Sequence, residues 1–143
     1  MPNFTRDKLE IALENENNAK IMELNSASIA KEKNDILQKL QLPREKLKYL
    51  TQTLKNYRYI DSIDDIILGN FIRWFNLSDP DNLKLTNGSF VSNFKETPDT
   101  IYIVCKNAIG RFFNVDIHKC LVFQKLNAQE ETLLAVINYL NKK

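Results

Sequence analysis

The residues with the clearest potential for chemistry are the single histidine, His118, and Cys120, two positions after it in the stretch HKC. A cysteine activated by a neighbouring histidine is the minimal arrangement for nucleophilic catalysis. Residues two apart share a face only while a strand stays regular, and no third residue that would orient the histidine is visible in the sequence. We therefore predict no catalytic residue and no enzymatic activity.

The acidic residues and cysteines of the sequence lack the spacing of a metal or cofactor site. The acidic residues Asp61, Asp64 and Asp65 in DSIDD lack the ligand spacing of a calcium-binding loop and fit a capped turn better. A tetrahedral zinc site needs about four nitrogen or sulfur ligands, and the two cysteines, Cys105 and Cys120, are not in a CxxC pair. We expect two free thiols in a reducing compartment, although a disulfide between them stays open. We predict no metal and no cofactor.

A binding role is favoured by aromatic and basic residues that alternate in the second half of the chain. Aromatic rings stack on nucleobases or dock peptides, and arginine and lysine contact phosphates. The same aromatic residues could instead lie beneath flanking helices. The candidate binding residues are Arg58, Tyr59, Arg73, Trp74, Tyr102, Lys106, Arg111 and Phe112.

Arg73 and Trp74 stand side by side in GNFIRWFNL, among apolar residues. Trp74 fits either the core or a binding surface, and a bulge near Gly69 or Arg73 would rotate the arginine outward. An unpaired buried guanidinium is too costly for a small domain, so we expect Arg73 at a rim, reaching solvent or an acidic partner. The candidate partners are Asp116, Asp61, Asp64 and Asp65.

Composition limits the class of protein more than its function. The chain has 143 residues and a formal net charge of +2, which by itself is too small to indicate nucleic-acid binding. Residues 40–58 carry five basic side chains and one acidic side chain, a pattern that usually means a solvated helix face. No segment approaches the roughly 18 consecutive apolar residues of a membrane span, and MPNFTRDKLE does not resemble a secretory signal. We expect an intracellular protein, in the host cytoplasm, the nucleus or a virion interior.

The first half of the chain predicts helices. An interrupted apolar stripe suggests a helix from about Thr5 to Gln41, either continuous or broken near residues 25–28. Such a segment could oligomerise, which gives a second hypothesis of a structural or assembly protein that associates through residues 5–41. A second helix over 43–57 starts at a proline, and a third begins after Asn127 with Glu130 completing a capping box.

The second half switches to period-two patterning and predicts five strands. A single turn between the last two strands is typical of a small, bent barrel. We therefore predict an α+β fold with an N-terminal helical arm (1–57), a five-stranded SH3-like β-barrel (58–126) and a C-terminal helix packed on the barrel (127–143). The expected strands cover about 68–77, 84–94, 100–107, 111–118 and 121–125.

Alternation also predicts which residues face the core. In IYIVCK the inward residues are Ile101, Ile103 and Cys105, which leaves Tyr102 outward. In RFFNVDI the inward residues are Phe113, Val115 and Ile117, which leaves Phe112 outward on the neighbouring strand.

The segments LGNFIRWFNL, LKLTNGSFV and RFFNVDI together resemble SH3-like barrels of the KOW and Sm-like type. They are also similar to uncharacterised small proteins of large DNA viruses that carry such a barrel. The resemblance covers about residues 58–125 and does not explain the helical arm. It implies association with nucleic acid or a protein partner rather than catalysis, so we expect a non-enzymatic adaptor in transcription or replication.

Overall fold

A computed structural model describes residues 25–141 and shows an α+β fold with three helices and a six-stranded antiparallel sheet. The described residues divide into two compact units, one with residues 25–58 and 126–141, the other with Tyr59–Lys125. The elements are α1 (Ser26–Gln38), α2 (Arg44–Thr53), β1 (Tyr57–Ile60), β2 (Phe71–Asn76), β3 (Ser89–Glu96), β4 (Ile101–Lys106), β5 (Phe112–Asp116), β6 (Cys120–Lys125) and α3 (Ala128–Asn141).

Helix α1 begins at a well-formed N-cap. The Asn25 side chain accepts a hydrogen bond from the Ser28 N–H at 2.8 Å, and Ser28 Oγ accepts one from the Asn25 N–H at 3.1 Å. The backbone of Asn25 is extended, with φ −142° and ψ 170°, so a single uninterrupted helix from Thr5 to Gln41 is ruled out. The rest of the expected arm, residues 1–24, lies outside the described residues, and so does most of the segment 5–41 that was predicted to oligomerise.

Helix α2 ends earlier than its apolar stripe predicts. The stripe extends to Tyr57, but the helix stops at Thr53, and the ammonium group of Lys33 donates to the carbonyl oxygens of Leu54 (2.7 Å) and Lys55 (3.2 Å). These bonds satisfy carbonyl groups at the C-terminal end of the helix. Tyr57 instead opens β1, a sixth strand that was not predicted: the predicted helix ended at Tyr57, and the first predicted strand began at about residue 68.

Helix α3 confirms the predicted capping box. The Glu130 N–H donates to Asn127 Oδ1 at 2.9 Å, and the Asn127 N–H donates to Glu130 Oε1 at 3.1 Å. Leu133 and Leu134 are buried in a small cluster with Ile29 of α1. Of the described helices, none is both long enough and apolar enough to cross a membrane.

The sheet has the strand order β1-β6-β2-β3-β4-β5 and is open. The predicted five-stranded closed barrel is therefore wrong in strand number and in closure, although the mixed class is confirmed. Closure requires a hydrogen-bonded ladder between the two terminal strands, and the strand order has none between β5 and β1. The turn predicted between the last two strands is present, with the Lys119 N–H donating to the Asp116 carbonyl oxygen at 3.0 Å.

The core of the strand unit lies on one face of β3, β4 and β5. Ile103 and Cys105 are fully buried and Val115 is 2% exposed, as alternation predicts. Phe113 pairs with Cys105 and so belongs to this core face, yet its side chain is 41% exposed. The prediction that Phe113 is buried is wrong because β5 is the last strand of the sheet, and none of the six strands described flanks Phe113 on its far side.

Candidate functional site

The face of β3, β4 and β5 opposite the core carries the most distinctive surface chemistry of the described chain, and we call it the outer face. Residues directly opposite each other on paired strands share a face, so the register sorts this surface into cross-strand rows. The three rows are Phe90–Lys106–Phe112, Asn93–Val104–Asn114 and Lys95–Tyr102–Asp116.

The first row combines exposed aromatic rings with a cation. Phe90 is 50% exposed and Phe112 is 58% exposed, on either side of Lys106. The Lys106 ammonium lies 5.5 Å from the centre of the Phe112 ring, within the range of a cation–π interaction. On β2, Phe71 pairs with Phe90 and extends the row, with ring centres 5.1 Å apart in an edge-to-face arrangement.

A β-bulge in β3 places these residues. The register shifts between Val91 and Asn93, which leaves Ser92 without a partner residue in β4. Because of this extra residue, Phe90 and Asn93 both lie on the outer face, although strict alternation would place them on opposite faces. The bulge also lets Val91 and Phe94 both face the core, where Val91 is 2% exposed.

A pocket of about 350 Å³ adjoins the first row. On one side the pocket is lined by the loop between β4 and β5. The Asn107 side chain holds this loop, since its Oδ1 accepts hydrogen bonds from the N–H groups of Ile109 (3.1 Å) and Arg111 (2.9 Å). Gly88, with φ +94°, is required on the other side, because a Cβ there would lie 2.5 Å from the Phe71 ring. The lining residues are Phe71, Gly88, Ser89, Phe90, Asn107, Ala108 and Ile109.

Four of the eight sequence-predicted binding residues gather here. Tyr102, Lys106 and Phe112 lie on the outer face, and the exposed Arg111 immediately precedes Phe112. Lys95, opposite Tyr102, adds a further exposed cation that the sequence analysis did not single out.

Arg58 is buried, at 3% exposure, and we remove it from the candidate surface. Its Nε lies 3.5 Å from Glu130 Oε2, and the Glu130 side chain is fully buried. Burial raises the pKa of Glu130, against the opposing effects of the Asn127 N–H and the Arg58 guanidinium. Tyr59 is half-buried, with its ring 5.7 Å from that of Phe123.

Arg73 and Trp74 have contacts that suit a structural role. Trp74 is half-buried against the core cluster, on the same face of β2 as the fully buried Ile72. Arg73 is also half-buried, and its Nε donates to the Thr86 carbonyl oxygen at 2.8 Å rather than to one of the expected carboxylates. Pairing of β2 with β6 is regular from Ile72 to Asn76, so the bulge expected near Arg73 is absent there.

His118 lies in the turn between β5 and β6, next to Thr100 and Asp116. Thr100 Oγ1 donates to Asp116 Oδ1 at 2.7 Å and lies 2.6 Å from His118 Nδ1, while the His118 N–H donates to the same carboxylate oxygen. The Thr100 hydrogen bond is the main cause of the lowered pKa of Asp116. Burial raises the pKa of Cys120, which disfavours the thiolate that a nucleophile needs. Both cysteines are free, and residues 25–141 contain no cluster of three or more potential metal ligands.

Sequence reasoning missed Phe90, Phe71 and Ile109, which complete the aromatic row and the pocket. The irregular spacing of apolar residues in NGSFVSNF is typical of a bulged strand, but it does not specify which face Phe90 takes. Ile109, at 81% exposure in the loop between β4 and β5, carried no comparable signal.

Comparison with protein-family models, curated proteins and solved structures finds no match to this chain. The outer face is therefore interpreted from its own geometry and chemistry.

Proposed function

We propose that the protein is a binding module that holds single-stranded nucleic acid on its outer face. The observation that carries the proposal is the first row, in which Phe90 and Phe112 are both at least half exposed on either side of Lys106. Every nucleobase has a flat π face, so exposed rings on a sheet offer stacking positions that do not depend on sequence.

The cations near the rings supply the second half of such a site. Lys95 and Lys106 lie on the outer face, and Arg111 is next to Phe112 in sequence. Positive groups beside the stacking positions can contact the phosphates that link the stacked bases. The alternation of ring and cation favours a strand with exposed bases, because a duplex hides its base faces in the stack.

The test measures the affinity of the full chain for a short fluorescent single-stranded oligonucleotide, as RNA and as DNA. Phe112→Ala removes one stacking ring and should weaken binding by about 5- to 150-fold, which corresponds to about 1–3 kcal/mol per base. Its matched control is Tyr49→Ala, because Tyr49 is also an exposed aromatic residue, at 65%, but is not part of the outer face. The thermal midpoint of both variants should stay near that of the wild type.

Salt dependence separates this function from the docking of an apolar peptide. If Lys95, Lys106 and Arg111 each neutralise one phosphate, the logarithm of the binding constant should fall with the logarithm of the salt concentration with a slope of about −2. Lys106→Gln should make that slope shallower by about 0.7. Binding that does not depend on salt, or an equal loss of oligonucleotide affinity in Phe112→Ala and Tyr49→Ala, would show that the outer face is not a nucleic-acid site.

A further inference from the structure

The edge of β5 has the features of an interface between two copies of this chain. β5 is the terminal strand of the sheet, so within the described part of the chain (25–141) one side of its backbone has no neighbouring strand. Natural proteins protect such edges with lysine, proline or a covering element, because a free edge recruits other strands. The β5 sequence, FFNVD, contains no lysine and no proline.

The hydrogen bonds to β4 show which groups of β5 remain available. The Asn107 N–H donates to the Arg111 carbonyl oxygen at 2.9 Å, and the Ile117 N–H donates to the Ile101 carbonyl oxygen at 3.3 Å. In an antiparallel pair the residues that bond to the partner alternate, so the backbone groups of Phe113 point toward β4. The N–H and C=O groups of Phe112 and Asn114 therefore point away from the sheet.

We propose that β5 pairs antiparallel with β5 of a second copy, with the two Phe113 residues directly opposite each other. This register places Phe112 of each copy opposite Asn114 of the other, so their outward N–H and C=O groups bond to each other. It also keeps the core faces of both sheets on the same side, because residues opposite each other then share a face.

The side chains support a second copy as the occupant. Phe113 lies on the core face but is 41% exposed, whereas Val115, on the same face of the same strand, is 2% exposed. Opposite residues that do not share hydrogen bonds have Cα atoms about 4.5 Å apart, so each Phe113 ring would cover the other. The pairing is isologous, with one patch meeting itself across a two-fold axis, and the two outer faces become continuous. It stands independently of the proposed function.

The first measurement is the molar mass of the full chain by light scattering, from low micromolar to near-millimolar concentration. We expect a concentration-dependent rise to the dimer mass, since the pairing of one short strand is a small interface. Asn114→Pro removes an outward N–H without touching the β4 ladder and should keep the chain monomeric, while Asn114→Thr, which retains that N–H, should still dimerise. A wild type that stays monomeric throughout, or a dimer that survives in the folded proline variant, would overturn the proposal.

Cysteine cross-linking tests the register of the β5–β5 pairing. It also tests whether the pairing exists if the proline variant does not fold. In a Cys105→Ala and Cys120→Ser background, which removes the cysteine that pairs with position 113 across β4, Phe113→Cys places the two thiols of the two copies directly opposite each other, at a spacing that a disulfide can bridge. Asn114→Cys is the matched control, because in this register its two copies are offset by two residues, about 6.8 Å along the strands. We expect an oxidised dimer from the first variant only. Absence of cross-linking at position 113, or equal cross-linking at position 114, would refute the pairing.

Discussion

Replacing Ile103 by alanine tests which face of the central strand β4 forms the core. The side chain is fully buried, and its partners across the strands, Phe94 and Val115, flank it on the core face. At about 0.8 kcal/mol per buried methylene-sized group, the atoms that alanine lacks account for about 2.4 kcal/mol of transfer free energy. The cavity left behind adds to this loss, so we expect a total of about 2.5–5 kcal/mol.

The matched control is Val104→Ala, one residue further along the same strand. Val104 lies on the outer face and is half-buried, so its truncation should cost less than about 1 kcal/mol. Urea unfolding can be followed through Trp74, the only tryptophan of the chain, which packs against the same core cluster as Ile103.

With an m value of about 1.5–2 kcal/mol per molar urea, the Ile103→Ala midpoint should fall by about 1–3 M. The Val104→Ala midpoint should fall by less than about 0.7 M. Equal shifts for the two variants would show that the assignment of faces in β4 is wrong, and with it the composition of the outer face.

Three further predictions concern single contacts. A carboxyl whose pKa is raised in the folded protein stabilises the fold below its ordinary pKa, and this contribution is lost as the pH rises through the folded value. Burial raises the pKa of Glu130, so the urea midpoint of the wild type should fall relative to that of Glu130→Gln as the pH rises from acidic to neutral. A relative rise of the wild-type midpoint would contradict the pKa shift. Gly88→Ala should destabilise the fold by more than about 1 kcal/mol, because the residue has φ +94° and its Cβ would clash, and an unchanged thermal midpoint would disprove that constraint. Thr100→Val should raise the pKa of Asp116 toward its ordinary value in an NMR titration, and an unaltered pKa would show that the threonine hydroxyl is not the main cause of the shift.

Local patterns in the sequence determined the features that depend on near neighbours. The pair Asn127 and Glu130 was sufficient to predict the start of α3, because a capping box is formed by side chains three residues apart along the chain. Period-two alternation was sufficient to place Ile103 and Cys105 in the core, because a regular strand turns successive side chains to opposite faces.

Tertiary contacts decided the features that depend on residues distant in sequence. The apolar stripe of α2 could have continued to Tyr57, but α2 stops at Thr53 and Lys33 bonds to the two carbonyl groups that follow, so Tyr57 was free to start a strand. Arg58 looked like a surface cation until the fold brought the buried carboxylate of Glu130 next to it, 72 positions further along the chain.

The candidate site lies between these two cases. Tyr102 and Phe112 could be assigned to the outer face from alternation, because β4 and β5 are regular. Phe90 could not, because the bulge at Ser92 breaks the period of β3, and a bulge is fixed only when β3 pairs with its neighbours. The open edge at β5 was equally invisible in the sequence, since strand order and closure depend on hydrogen bonds between segments that local patterns do not specify.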